Sequence, residues 1–139
     1  MTKEEAIEEL MYQGCNHDNI DSERWENGFL GQLRPFKKVL HEENYHLIMQ
    51  ALKVLAPEFE KDFVDRRIIS SIWGICHLAR AWAIHPEGML HSNNLITEEQ
   101  TTQIDNWIMD ISYTAACLLD GTGAEVAFWA YDEENKKIN

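Results

Sequence analysis

The sequence predicts an all-α fold, a single-domain bundle of four or five helices around a buried central helix over about residues 62–85. Three observations carry this reading. Apolar residues recur at spacings of three and four along most of the chain, two Thr-x-x-Glu/Gln capping boxes open amphipathic runs, and glycine or proline stands where those runs stop. At 139 residues and 45% hydrophobic composition, the chain holds enough apolar surface for one core.

In chain order, Thr2-Lys3-Glu4-Glu5 has capping-box spacing, so a helix is expected from about Lys3 to Tyr12. Ala6, Ile7, Leu10 and Met11 form its apolar stripe, and Gly14 ends it. Cys15 to Ser22 reads as a polar loop. A second helix through about Leu33 would present Trp25, Phe29 and Leu33 to the core, weakened by Gly28 and Gly31. Arg34-Pro35 breaks the chain, and Glu42 to Leu55 forms the next helix with Tyr45, Ile48, Ala51, Leu52 and Leu55 inward.

The central segment from Asp62 to Pro86 carries two apolar stripes. Val64, Ile68, Ile72, Ile75, Ala79 and Trp82 make the first, and Ile69, Trp73, Cys76 and Ala83 the second. Two stripes predict burial on two sides. Gly74, beside small residues, suggests a close backbone approach, because glycine inside a helix costs about 1 kcal/mol relative to alanine. Thr97-Glu98-Glu99-Gln100 then caps a long helix to about Leu119 with Ile104, Trp107, Ile108, Ile111, Ala115 and Leu118 inward. Residues 124–131 fit a short strand or a helical turn docked by Phe128 and Trp129, and 132–139 reads as a frayed tail.

Charge separates function classes. The formal net charge is −12, with eight acids against three bases in residues 1–34, seven against seven in 35–96, and nine against two in 97–139. Such a field repels nucleic acid and anionic lipid and suits a protein partner with a basic surface. The acidic amino terminus lacks a basic start followed by an apolar core, and Ser70, Ser71, His77 and Arg80 interrupt the most apolar run, so a cytoplasmic protein outside the membrane is expected.

Catalytic and metal-binding patterns are sparse. No Cys-x-x-Cys or His-x-x-x-His spacing occurs, and His77 and His85 lie about 12 Å apart along a helix, too far to share an ion. Cys15 and His17 would need a distant histidine, so neither metal nor other cofactor is expected, and Cys76 and Cys117 read as core thiols. Glu58, Asp62 and Asp65 could share a helical face, where neighbouring cations favour ordinary ionised carboxylates. His77 and Arg80 stand out beside Trp73, with Asp105, Asp110 or a carboxylate of the chain ends as the expected structural partner of the arginine, and a bound anion or a partner's carboxylate as the functional one.

These readings favour an acidic protein-interaction domain, acting like an immunity-type inhibitor that masks a basic surface. Glu98, Glu99, Asp105 and Asp110 are the expected contact residues, joined by carboxylates of the first helix. The alternative is a small-molecule-binding or enzymatic helical domain with a pocket at Trp73, His77 and Arg80. A third reading is a homodimer that buries Phe128 and Trp129.

Overall fold

Both capping boxes form, and each starts a helix. The computed structural model describes residues 1–138. Thr2 accepts from the Glu5 amide at 3.1 Å while Glu5 accepts from the Thr2 amide at 3.0 Å, opening α1 (Lys3–Gln13). Thr97 and Gln100 exchange the same pair of bonds at the start of α6 (Glu98–Leu119). Between them lie α2 (Arg24–Asn27), α3 (Glu43–Leu55), α4 (Arg66–Ala79) and α5 (Met89–Ser92), and α7 (Ala124–Ile138) closes the described chain. The all-α prediction holds, with five helices of eleven or more residues among the described ones.

Four of these helices form the body. α1 packs on α3 and α4, and α6 packs on α3 and α4 from the other side, with α7 laid along α6. Ile7, Leu10, Ile48, Leu52, Leu55, Ile68, Ile75, Ile104, Ile108 and Ile111 are fully buried between them. Each such side chain contributes about 1.5–3 kcal/mol relative to leaving it exposed. Cys76 and Cys117 join the core as free thiols.

Several local expectations change. The helix expected through Leu33 stops at Asn27, and the chain continues as extended backbone at Gly28 and a 3-10 turn over Gly31–Leu33. A buried polar network takes the place of the missing helical bonds. The Gln13 side chain accepts from the Phe29 amide at 2.7 Å and donates to Asn44, and Asn44 donates to the Asn27 carbonyl at 2.9 Å. Gly31 is fixed there because a Cβ would stand 1.9 Å from the Trp25 carbonyl oxygen. The central helix begins later than expected, at Arg66, with Asp65 as its cap accepting from the Arg67 amide at 2.9 Å. Glu58 belongs instead to a 3-10 turn over Ala56–Glu60, where it pairs with Lys3 and Lys61.

Trp73, expected in a buried stripe, is 74% exposed. α4 is covered by α1 and α6 along the Ile68, Ile72, Ile75 and Ala79 stripe, and Trp73 points out beyond both. Gly74 makes no close backbone contact, since a Cβ there would meet nothing within 4 Å. Segment 124–131 is helical as part of α7, held by Phe128 in the core, with an ion pair between Lys53 and Asp132 just beyond it; of the tail expected to fray, Asn139 lies outside the described residues. Thr114 strengthens the seam by donating to the Ala127 carbonyl at 3.0 Å.

The two glycines should therefore respond oppositely to alanine. Gly74→Ala should raise stability by about 0.5–1 kcal/mol, because the backbone is helical and the site is open. Gly31→Ala should lower it by about 1–3 kcal/mol through overpacking. Urea unfolding midpoints of the two variants would measure both, and shifts of the same sign would contradict this account.

Candidate functional site

Of the concavities beside α6, two differ sharply in chemistry. The first is a cleft of about 490 Å³ between α3, α6 and α7, lined by Glu42, Tyr45, His46, Asn106, Trp107, Asp110 and Glu134 among others. The second is a groove of about 310 Å³ between α4 and α6, lined by Ile69, Ile72, Trp73, Cys76, His77 and Arg80 on one wall and by Ser112, Ala115, Ala116 and Leu119 on the other.

In the cleft, the inward stripe of α3 delivers Tyr45 to the core while its hydroxyl needs a polar partner. That partner is Asp110, whose Oδ2 accepts from the Tyr45 hydroxyl at 2.9 Å. The Tyr45 ring stacks on Trp107 with centroids 5.9 Å apart and meets the edge of Tyr131 at 5.7 Å. Beside it, His46 Nδ1 lies 2.7 Å from the Tyr131 hydroxyl, and its Nε2 lies 3.8 Å from Glu42. Burial pushes the Tyr45 phenol well above its usual range, and the Asp110 carboxylate adds to the shift. Tyr45 is thus held as a neutral donor rather than a base. Glu42, Asp110 and Glu134 line this cleft, and its lining includes neither lysine nor arginine. Such a site favours a cation, with aromatic rings forming part of its wall.

The groove exists because α6 offers small side chains opposite α4. Ser112, Ala115 and Ala116 leave room where larger residues would have closed the seam. α4 ends in a π turn over Arg80–Ile84, closed by the His85 amide donating to the Arg80 carbonyl at 2.9 Å. Trp82 ends up under the Arg34 guanidinium, 5.5 Å from ring centroid to Cζ. Burial pushes the Cys76 thiol up to about 11, with Arg80 pulling weakly the other way.

Trp73, His77 and Arg80 do come together on this groove. The carboxylate partner expected for Arg80 does not materialise: Arg80 is exposed and forms no ion pair among the described residues. Asp110 faces Tyr45 on the other side of α6, and Asp105 is half-buried without an ion pair among the described residues. The four carboxylates expected to act together are spread along α6. Glu98 and Asp105, seven residues apart, share one side, whereas Glu99 and Asp110 lie roughly a quarter turn round, about 16 Å from each other along the axis.

Carboxylates of α1 are largely engaged within the molecule. Glu4 pairs with Arg67, Glu9 with Arg24, and Glu8 approaches His17 at 3.4 Å. His17 stacks on Tyr12, and Cys15 Sγ points to the Trp25 carbonyl. No group of three or more potential metal ligands converges among the described residues, and no described helix is long and apolar enough to cross a membrane. Trp129 is exposed as the dimer reading requires, but Phe128 is already buried within the one chain.

The pKa directions give an alkaline prediction. Tyr45 and Cys76 both titrate higher in the folded chain, so the folded state holds protons that the unfolded state releases near pH 8.5 for cysteine and 10 for tyrosine. Their contribution is complete below those values and is lost as pH rises through and beyond them. Urea midpoints should fall from about pH 8.5 upward. Tyr45→Phe should lessen the fall above about pH 10 and Cys76→Ala the fall between about pH 8.5 and 11, the raised Cys15 thiol and Tyr131 phenol leaving a residual slope. A pH-independent midpoint in wild type would contradict the burial of both groups.

The chain matches no protein-family model, no curated protein and no solved structure, so its functional reading rests on these two concavities.

Proposed function

We propose that the protein is an interaction module that receives a basic surface of another protein, in the manner of an immunity-type inhibitor. The observation that carries this reading is the cleft between α3, α6 and α7, where Glu42, Asp110 and Glu134 line one concavity of about 490 Å³ that no lysine or arginine lines. A lysine or arginine of a partner, entering between them, would meet carboxylates with the edges of Tyr45 and Trp107 behind. Glu99 lies on the same side of α6 and extends the negative strip toward its amino-terminal end, while Glu98 and Asp105 flank it.

The energetics favour selection over raw affinity. Exposed carboxylates raise the encounter rate with a basic partner and reject acidic ones, while desolvation cancels much of the attraction once the pair is buried. Tyr45 serves as a fixed strut. Its hydrogen bond to Asp110 holds that carboxylate at the cleft wall and costs the partner no reorganisation on binding.

The test replaces the three carboxylates by their amides. Full-length protein and a Glu42→Gln/Asp110→Asn/Glu134→Gln variant would be immobilised and used to capture partners from the native cell. The expected result is a stoichiometric protein retained by wild type at low salt and lost in the variant, with association slowed about tenfold or more at low ionic strength. The amide oxygen introduced by Asp110→Asn still accepts from Tyr45, so the fold should persist, as circular dichroism would check. Capture of the same proteins at the same rate by both forms would sink the reading.

A further inference from the structure

The groove between α4 and α6 is opposite in character to the cleft. Residues 66–86 contain three arginines and not one carboxylate, and residues 111–119 of α6 contain no charged residue at all. In a chain of net charge −12, these two stretches supply the groove walls. Its floor is aliphatic, Trp73 stands as an exposed flap at 74%, and Arg80 brings to the lining a guanidinium with no ion pair among the described residues.

We propose that this groove binds an anionic amphiphile, a free medium-chain alkyl carboxylate, whose tail lies along Ile69, Ile72 and Ala116 under Trp73 while its carboxylate pairs with Arg80. Each part of the ligand answers an observed feature. An alkyl chain fills the apolar floor, and a carboxylate satisfies the guanidinium with a bidentate pair. His77, exposed on the same wall, adds charge of the same sign when protonated. The facing wall is contributed by Ser112, Ala115, Ala116 and Leu119, which bring no competing charge. Size selects a small ligand: about 310 Å³ is at the lower end of small-molecule sites, at about 300–1,000 Å³. Its ten lining residues fall short of the roughly 20–30 that a standard protein interface uses on each side.

The experiment titrates full-length protein with decanoate, kept below the concentration at which it forms micelles. Binding would be followed by calorimetry and by backbone amide NMR shifts. The expected result is one saturable site with shifts centred on Ile69–Arg80 and Ser112–Leu119. Arg80→Gln should weaken binding at least fivefold, and decyltrimethylammonium should bind at least tenfold more weakly than decanoate. Ala116→Phe, at an exposed position facing the groove, should abolish binding while leaving the circular dichroism spectrum unchanged. If that variant misfolds, Arg80→Gln and the cationic amphiphile still decide the matter.

Four results would overturn the proposal. They are absence of saturation, shifts located elsewhere, equal affinity for both amphiphiles, and unchanged affinity in Arg80→Gln. Other occupants would also displace it. A concentration-dependent dimer abolished by Ala116→Phe would assign the groove to a second copy of the chain. Arg80-dependent sedimentation with phosphatidylglycerol vesicles, without decanoate binding, would assign it to a membrane surface.

Discussion

α6 is the shared wall on which both concavities depend. A helix can bury one stripe against each partner, and α6 has three: α4, α3 and α7. Its inward residues Ile104, Ile108 and Ile111 seal the core, while the seams to either side are left partly open. On the α4 side the opening comes from side chains that are too small. On the α3 and α7 side it comes from side chains that are polar, since Tyr45, His46, Asp110 and Tyr131 satisfy one another instead of packing tightly. One helix thus creates two openings by two different mechanisms.

Acidity in this protein is only partly available for recognition. α1 presents four glutamates in sequence, yet Arg67, Arg24, the Thr2 amide and His17 occupy them. Of these, only the pairs with Arg67 and Arg24 bring a positive charge to the carboxylate, and an exposed pair such as Glu4–Arg67 contributes about 0–1 kcal/mol. Glu98 and Glu99 in the first turn of α6, and Asp110 and Glu134 at the cleft, are among the acids that form no ion pair among the described residues. Net charge alone therefore gives a poor map of the binding surface. Pairing within the fold decides which carboxylates remain free to meet another molecule.

Elements with strong local signals were legible in the sequence. Capping boxes at Thr2 and Thr97 and the periodic runs of α1, α3 and α6 set their boundaries to within a residue or two, because the interactions that start and stop them are local. Where a nonlocal bond decides, the sequence falls silent. The segment after Asn27 leaves the helix because Gln13 and Asn44, distant in sequence, supply its hydrogen bonds. Trp73 follows the buried periodicity of α4 but projects past the two helices that cover it, and periodicity does not count neighbours. The groove trio of Trp73, His77 and Arg80 was accessible because all three lie on one run. The cleft was not, because Tyr45 and Asp110 are 65 residues apart and Tyr45 reads as an ordinary core aromatic. Its polar tip, which must find a partner, was the one available hint.

Placing sites of opposite charge on the two sides of a single helix raises the question of whether they cancel. An α-helix with its side chains is about 10–12 Å across, and the screening length at physiological ionic strength is about 8 Å. Exposed charges on the two flanks are therefore separated by more than one screening length, and each concavity presents its own sign to solvent. Lowering the salt lengthens the screening distance to about 30 Å at 0.01 M, where the net charge of −12 reaches round to the groove. Affinity at the groove for an anion and affinity at the cleft for a cation should then move in opposite directions from simple pairwise expectation: the overall field weakens the first and strengthens the second. Attraction that grows with dilution of salt is thus characteristic of the cleft, whereas at the groove the local guanidinium and the distant carboxylates oppose each other.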